Sequence, residues 1–248
     1  MPTLIILTCV VLLPLLLSLW TSFTPFKLTK PDTLYRFVGF RNYERLIGDL
    51  DFWIAFGRTV LFLAIALNLE LVFGLGIALL INKITYGQRT LRTLMMFPMM
   101  FSPILVGFQW KYIFNDNIGL MNNFLREFGV IQPIPWLVDG ILANVSIMAA
   151  EIWSSTSVFA ILLLAGLLGI PKDPIEAAKV DGCNSWQVFK NITLPFLMPF
   201  VFIAMTIRSL DVARAYDIVQ MMTGGGPAKR TELPVSYTHL TLPTILSV

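Results

Sequence analysis

Residues 176–195 read Glu-Ala-Ala-Lys-Val-Asp-Gly-Cys-Asn-Ser-Trp-Gln-Val-Phe-Lys-Asn-Ile-Thr-Leu-Pro. This polar stretch lies between two strongly apolar ones. Its spacing is Glu-Ala-Ala, three residues, Gly, nine residues and Ile-x-Leu-Pro. The residues of the pattern are Glu176, Ala177, Ala178, Gly182, Ile192, Leu194 and Pro195. In a chain that is otherwise mostly apolar, a polar connection of this kind indicates a docking surface for a partner.

The composition indicates a membrane protein. The 248 residues are 56% hydrophobic and 13% charged, whereas soluble domains contain about 25% charged residues. The mean hydropathy is +0.74. A soluble domain of this size could not bury so much apolar surface, but a bilayer accepts it as solvent. The formal net charge of +3 includes no basic run, so no nucleic-acid partner is expected.

Five apolar runs are long enough to cross a membrane, for which a helix needs about 20 residues. They are Thr3 to about Trp20, about Ala55 to Ile81, about Leu94 to Phe114, about Ile141 to Ile170 and about Leu194 to Met222. The first run has no basic segment before it and no small-residue cleavage site after it, so we interpret it as a retained helix. The sequence therefore predicts an all-α, polytopic helical membrane protein with five membrane helices.

The connections between these runs suggest how the chain is organised. Residues 1–54 are interpreted as the first membrane helix and an external loop. Residues 55–234 are interpreted as one transmembrane domain that contains the polar loop 171–195. The short link 82–93 is basic and contains no acid, which favours the cytoplasmic side. The opposite side carries at least as many basic residues, so charge alone does not fix the orientation.

The polar loop carries the signals of two short helices. Asp173 can cap the first helix, Pro174 fits its first position, and Glu176 can close a capping box. Gly182 is well placed to end that helix in a left-handed turn. Residues 184–187 offer a second helix start of the same kind. We therefore predict two short helices that meet at Gly182 and lie along the membrane surface.

The first of these helices is predicted to present Glu176, Ala177 and Ala178 to a partner. Small side chains allow close approach by another backbone, and an acidic group at a helix start is favoured by the local dipole. The alternative is an amphipathic loop that rests on lipid headgroups. The complete spacing of the pattern, placed between two membrane spans, favours coupling to a partner.

Four further segments extend this pattern along the chain. They are Phe37-Val38-Gly39-Phe40-Arg41-Asn42-Tyr43, Gly119-Leu120-Met121-Asn122, Ala165-Gly166-Leu167-Leu168-Gly169-Ile170-Pro171 and Thr223-Gly224-Gly225-Gly226-Pro227. Together with the loop they resemble the sugar-type permeases of binding-protein-dependent ATP-binding-cassette importers, the group that contains maltose and glycerol-3-phosphate permeases. The resemblance covers the chain from about Phe37 to Pro234.

The resemblance implies the type I importer transmembrane fold and a permease subunit that forms half of the path for a sugar or related polar solute. It implies a second permease subunit, a cytoplasmic ATPase dimer that binds the ATP, an external solute-binding protein and a bacterial-type inner membrane. It assigns ATPase coupling to the loop residues Glu176, Ala177, Ala178, Asp181, Gly182, Ile192, Leu194 and Pro195. Cys183 departs from the alanine usual at its position, but both residues are small.

The resemblance also predicts one more membrane helix at the C-terminal end. Residues 235–248 read Val-Ser-Tyr-Thr-His-Leu-Thr-Leu-Pro-Thr-Ile-Leu-Ser-Val. As a helix with a rise of about 1.5 Å per residue, they are too short to cross a bilayer. Their first ten residues can be encoded by a transposase-adapter sequence used in library preparation. We therefore expect a non-native tail and a missing final helix.

Several polar residues fall inside the apolar runs. Glu70 and Asn68 lie near the middle of the second run, and Glu151 lies within the fourth. A charge at the bilayer centre costs about 2.5–3.5 kcal/mol on insertion scales, so these groups should avoid lipid. Either they line the solute path or they form hydrogen bonds between helices. Two further patterns are present. The small-residue pair Gly74 and Ala78 suits close helix packing, and we suggest that it faces a second subunit. The charges of Arg208, Asp211, Arg214 and Asp217 alternate at steps of three residues, which suits ion pairs along a helix.

The sequence contains no motif for catalysis or for nucleotide binding. It has no Gly-x-x-x-x-Gly-Lys-Ser/Thr loop, no His-Glu-x-x-His and no nucleophile elbow. Cys9 and Cys183 have neither metal-ligand spacing nor a disulfide framework. We therefore expect no catalytic residue, no metal and no cofactor on this chain. Two alternatives to the importer permease are an ion-coupled secondary transporter that uses Glu70 or Glu151 and a membrane-embedded enzyme.

Overall fold

The structure, a computed structural model, describes residues 2–25, 35–84, 86–129, 132–213, 217–226 and 231. These residues form helices and connecting turns, which confirms the all-α prediction. The helices are α1 Pro2–Ser22, α2 Arg41–Gly48, α3 Leu50–Lys83, α4 Gln88–Met96, α5 Pro103–Ile113, α6 Leu120–Glu127, α7 Gly140–Leu168, α8 Lys172–Val180, α9 Ser185–Val188, α10 Leu194–Ala213 and α11 Asp217–Met222. The proposed tail 235–248 lies outside the described residues.

Three helices in the described part of the chain are long and apolar enough to cross a membrane. Two are α3 and α7, and the third runs continuously from Ser185 to Ala213. That third helix contains α9, a π-helical turn at Phe189–Thr193 and α10. The second and fourth apolar runs correspond to α3 and α7, and the first lies in α1. The fifth run was predicted to extend to about Met222, but its long helix ends at Ala213, and Asp217–Met222 forms α11.

The third apolar run is not the single helix that the sequence predicted. It is broken into α4 and α5, which are bent by 90° and count as one span only if taken together. Pro98 opens a short 3-10 turn, and Pro103 opens α5. A proline lacks the amide hydrogen and pushes the residue before it out of the helical region. Ser102 accordingly has an extended ψ of 147° and caps α5 by accepting from the Leu105 amide at 3.4 Å.

The chain divides into two compact units, one that contains residues up to Arg58 and one that contains residues 59–232. In the first unit, the segment after α1 folds back on the end of that helix. The Asn42 amide donates to the carbonyl oxygens of Ser22 and Thr24, both at 2.9 Å, and the Tyr43 hydroxyl donates to Ser22 Oγ at 2.8 Å. The Phe23 ring packs against the Phe40 ring. The Asn-Tyr pair of the sequence motif thus supplies hydrogen-bond donors at the end of α1, where the last carbonyl groups have no donor within the helix.

In the second unit, α3 packs closely on α7. A Cβ added to Gly74 would lie 2.5 Å from Phe159 Cβ and 3.0 Å from the Ala160 nitrogen. Ala78, one turn along, is fully buried and packs in a core with Leu163. The small-residue pair therefore serves packing within this chain, which corrects the suggestion that it faces a second subunit.

The link between α5 and α7 is organised around one buried side chain. The Asn122 amide nitrogen donates to the carbonyl oxygens of Asp116 and Ile134, both at 3.0 Å. Its oxygen accepts from the Ile134 amide at 3.2 Å and from Trp136 Nε1 at 2.9 Å. All four hydrogen-bonding positions of the amide are used. The asparagine of the Gly-x-x-Asn motif is therefore the structural centre of this loop.

Candidate functional site

A buried cluster of charges joins three helices of the second unit. The Arg208 guanidinium on α10 contacts Glu70 on α3 through Nε at 3.2 Å and through Nη2 at 3.3 Å. The same Nη2 donates to Glu151 Oε1 on α7 at 2.7 Å. Nη1 donates to Asp211 Oδ2 at 3.3 Å. The Ser155 hydroxyl also donates to Glu151, at 3.3 Å. One arginine thus holds two carboxylates from distant parts of the chain.

The burial of the cluster explains why its charges are paired. The side chains of Arg208 and Glu151 are each 8% exposed and that of Glu70 is 0% exposed, whereas that of Asp211 is 59% exposed. Removing a charge from water costs several kcal/mol, which is offset only by close, well-directed partners. Glu70 and Glu151 are therefore kept away from lipid, as a charge within a membrane span requires.

The sequence grouped Asn68 with Glu70, but the structure separates them. Asn68 is exposed, and its amide nitrogen donates to the Ala64 carbonyl oxygen of its own helix at 2.7 Å. Two positions along a helix correspond to a rotation of about 200°, so the two side chains point in different directions. Asn68 therefore does not belong to the charged cluster.

A cavity of about 360 Å³ lies beside the cluster. Its wall combines charged groups, two serines and residues at the bend between α4 and α5. The lining residues are Met99, Phe101, Pro103, Val106, Glu151, Ser154, Ser155, Val158, Arg208, Asp211, Asp217 and Ile218. The bend found at the prolines therefore helps to form a cavity within the membrane domain that both charged and apolar side chains line.

The structure gives positions for three of the four alternating charges near the end of the fifth apolar run. Arg208 and Asp211 form the expected ion pair three residues apart. Asp217 begins α11 and lines the cavity, and Arg214 lies outside the described residues. No group of three or more histidine, cysteine, aspartate or glutamate side chains in the described ranges could hold a metal ion.

The polar loop has the predicted turn at Gly182. This glycine has a φ of +80° and follows α8. Its amide donates to the Lys179 carbonyl oxygen at 3.2 Å, and the Cys183 amide donates to the Ala178 carbonyl oxygen at 2.9 Å. These two hydrogen bonds form a Schellman motif, which satisfies carbonyl groups at the end of a helix. The turn gives the loop a defined corner.

The second helix start is also confirmed. The Asn184 side chain accepts from the Gln187 amide at 2.8 Å, and the Gln187 side chain accepts from the Asn184 amide at 2.8 Å. This reciprocal pair is a complete capping box. The helix that it starts continues through the π-helical turn into α10. It is therefore the end of a membrane helix and not a separate surface helix.

The first helix start is placed differently from the prediction. The helix α8 begins at Lys172, its N-cap is Pro171, and no side chain makes a cap hydrogen bond there. The expected roles of Asp173 as cap and of Glu176 in a capping box are therefore wrong. Pro174 lies in the first turn, where amide groups have no intrahelical partner, so the helix can begin two residues earlier without losing a hydrogen bond.

The pattern residues of the loop differ in exposure. Glu176, Ala177, Asp181, Gly182 and Pro195 are exposed. Ile192 and Leu194 are half-buried, and Ala178 is 9% exposed, so it faces the protein and is not presented as predicted. Beneath the loop lies a cavity of about 420 Å³, with Lys83, Lys179 and Trp186 among its lining residues.

Comparison with known proteins identifies the family. The profile described as "Binding-protein-dependent transport system inner membrane component" matches residues 70–245. The chain belongs to this family. The match includes α7, the polar loop and α10, and so contains every residue of the charged cluster. It confirms the resemblance to binding-protein-dependent permeases that the sequence motifs indicated.

Curated members of this family match most of the chain. It is 36% identical over 234 residues to the trehalose/maltose transport system permease protein MalF of Thermococcus litoralis, covering 93% of this chain and 77% of that protein. It is 34% identical over 241 residues to the probable ABC transporter permease protein y4oQ of Sinorhizobium fredii, covering 97% and 77%. It is 30% identical over 241 residues to the trehalose transport system permease protein SugA of Mycobacterium tuberculosis, covering 96% and 76%.

Solved structures show the same fold. A bacterial ABC transporter involved in the import of the acidic polysaccharide alginate superposes with a TM-score of 0.81 at 21% identity, covering 99% of this chain and 83% of that chain. The alginate transporter in complex with an alginate pentasaccharide-bound periplasmic protein gives the same TM-score at 20% identity, covering 99% and 82%. The chain therefore has the transmembrane fold of an ABC importer.

Sequence reasoning found the two carboxylates but not their partner. In the sequence, Arg208 stands out only as one of four alternating charges, whereas in the structure it joins the three helices. An arginine inside an apolar run is itself a signal, because such a group must find carboxylates or water. The two glutamates in other apolar runs, Glu70 and Glu151, are the carboxylates that such an arginine could pair with.

Proposed function

We propose that this chain is a membrane-spanning permease subunit of an ATP-driven importer and forms half of the path for a sugar or related polar solute. The family and fold support this function, and relatives named for trehalose and maltose transport support the solute class. The observation that carries the proposal is that one pair of helices, α7 and α10, borders both the cavity beside the charged cluster and the exposed loop.

The proposed partners follow from this role. A second permease subunit completes the path, a cytoplasmic ATPase dimer binds the ATP, and an external solute-binding protein delivers the solute. The complex of an alginate importer with a periplasmic protein supports the last of these. The chain itself carries no cofactor and no catalytic residue in this scheme, and it resides in the inner membrane of a bacterial-type cell.

The loop is proposed to couple the permease to the ATPase. Its two helices are fixed at a corner by the Schellman motif at Gly182 and by the capping box of Asn184 and Gln187. Glu176 and Ala177 lie exposed on the first helix. A loop with defined hydrogen bonds at both helix ends can transmit a rigid-body displacement to α10, because the second helix is continuous with that span.

The test is the substitution Gly182→Val. A β-branched residue at a φ of +80° is strained, so the corner should open and the ATPase should co-purify with this variant at a small fraction of the wild-type amount. Gly129→Val is the matched control. Gly129 also has a positive φ, +90°, and open space around it, but it lies outside the loop, so ATPase recovery should be unchanged.

Both variants should still insert into the membrane, which is checked by extraction and size-exclusion chromatography. Equal ATPase recovery with the two variants would refute the coupling role of the loop. The ion-coupled secondary transporter considered from the sequence is not favoured by the family membership.

A further inference from the structure

The arginine beside the cavity is fully engaged by the protein. Each of the three guanidinium nitrogens of Arg208 contacts a carboxylate, namely Glu70, Glu151 or Asp211, at 2.7–3.3 Å. The side chain is only 8% exposed. At Nε and Nη2, a solute anion could bind only by displacing Glu70 or Glu151, and the displaced buried carboxylate would lie unpaired at a cost of several kcal/mol. At Nη1 it would have to displace the carboxylate of Asp211.

The remaining charge on the cavity wall is negative. Among the described lining residues, the charged ones are Glu151, Asp211, Asp217 and Arg208, so their formal charges sum to −2. The Asp211 side chain is 59% exposed, and Asp217 is exposed as well. Ser154 adds a hydroxyl group. The charged groups that a solute meets on this otherwise largely apolar wall are therefore mainly hydrogen-bond acceptors with excess negative charge.

A cavity with low-dielectric walls concentrates such a field and repels ions of the same sign. Discrimination between solutes can rest on repulsion as much as on attraction. Neutral polyols can donate hydroxyl hydrogens to the exposed carboxylates, and amino groups gain further from the charge. Carboxylate-bearing and sulfonate-bearing solutes meet no available cation among the described lining residues.

We propose that this cavity excludes acidic solutes, with Asp211 and Asp217 as the determinants, and admits polyhydroxylated solutes that are neutral or carry an amino group. This inference rests on the proposed function, since it assigns a solute class to the cavity of the permease. The geometry that carries it is the engagement of Arg208 by three carboxylates, together with the exposure of Asp211 and Asp217 on a wall whose described residues have a formal charge of −2.

The experiment measures the cavity field with small charged probes. Ser154→Cys is introduced into a chain whose own thiols are removed by Cys9→Ser and Cys183→Ala. The full chain is expressed with its importer partners, and membranes are opened so that both faces are accessible. The introduced thiol is then treated with a trimethylammonium-ethyl or a sulfonatoethyl methanethiosulfonate. The ratio of the two rates, relative to the ratio for 2-mercaptoethanol, reports the local potential.

The ratio should favour the cationic reagent strongly at the introduced thiol. Asp211→Asn and Asp217→Asn should each lower it by about tenfold, because the Coulomb energy of one charge acts with opposite sign on the two reagents. Glu127→Gln, at the exposed end of α6 and not among the residues that line the cavity, is the matched control and should leave the ratio unchanged.

A ratio equal to that of 2-mercaptoethanol would overturn the proposal, and so would Asp211 and Asp217 variants that leave it unchanged. The two aspartate variants are read separately, so a folding defect in one leaves the other as a test. The measurement involves neither ATP hydrolysis nor transport. Its failure is therefore distinct from failure of the importer function, which is read from ATPase recovery.

Discussion

Arg208 can keep its charge inside the membrane domain because carboxylates surround it. Glu70 contacts it through two nitrogens and Glu151 through one. Losing the arginine would leave two buried carboxylates facing one another without a counterion. The pairing contributes little net free energy of unfolding, whereas removing the arginine alone lowers that free energy strongly.

We expect Arg208→Met to lower the free energy of unfolding by about 3–5 kcal/mol, since an uncompensated buried charge remains. Asp211→Asn is the control on the same helix. It alters a half-exposed partner of the same guanidinium and should cost less than about 1 kcal/mol. The measurement is the thermal midpoint of the monodisperse fraction, by size-exclusion chromatography of the detergent-purified protein.

A further variant separates charge from packing at this site. Adding Glu70→Leu and Glu151→Leu to Arg208→Met removes every unpaired buried charge, so the thermal midpoint should recover by most of the loss. If the triple variant melts as low as the single one, the cluster stabilises the protein by shape and not by charge pairing.

Residue-level prediction succeeded for two local features of the loop, although the equally local cap at Asp173 was wrong. The capping box of Asn184 and Gln187 and the turn at Gly182 depend on neighbours within a few positions, and both are present. The convergence on Arg208 depends on the rotation of three helices whose residues lie 57 and 138 positions apart. No local pattern encodes that rotation.

At the scale of elements, α3 and α7 approach closely because a glycine faces a phenylalanine. Because Gly74 has no Cβ, the Cβ of Phe159 can lie close to the backbone of α3. Such close approach lets the backbones pack by van der Waals contact, which is a main source of helix association in a bilayer. It also brings Glu70, one turn before Gly74, toward α7, where Glu151 lies.

Gly74→Ala should destabilise the protein by about 1–3 kcal/mol, because the new Cβ would overlap backbone and Cβ atoms of α7. Gly76→Ala lies on the same helix with nothing within 4 Å of the added Cβ. It should be neutral or stabilising by up to about 1 kcal/mol, since alanine favours helix over glycine. Thermal midpoints of the two purified variants give the comparison.

The opposite ranking of the two glycine variants would contradict this account of the α3–α7 contact.

At this scale the sequence predicted the helices well, since apolar runs of the required length have few alternatives in a bilayer. It missed the 90° bend between α4 and α5. Prolines are tolerated inside membrane helices, so Pro98 and Pro103 alone do not distinguish a kink from a break.

At the scale of the whole molecule, the proposed importer draws its energy from a partner. Uptake should therefore persist when a protonophore collapses the ion gradient and cease when the ATPase subunit is absent. A secondary transporter would show the reverse pattern. The measurement is uptake of labelled trehalose, the solute named for several relatives, into cells that express the complete importer.

Two controls accompany this uptake experiment. Cells that lack this chain set the background, and ATP is measured after protonophore treatment so that energy depletion is not mistaken for loss of an ion gradient. Uptake that depends on the ion gradient and not on the ATPase would refute the importer.

The class of fold could be predicted from composition and motifs. The cavity could not, because it depends on the arrangement of α5, α7, α10 and α11.

The wide turn at Phe189–Thr193 has a consequence for which changes this chain can tolerate. A π-helical turn accommodates one residue more than an α-helical turn, and each residue advances a helix by about 100°. The turn therefore sets the azimuth at which Arg208 emerges from α10, four turns further on. Gaining or losing a single residue between these points would therefore rotate the guanidinium away from both glutamates, which no substitution of one side chain for another would do.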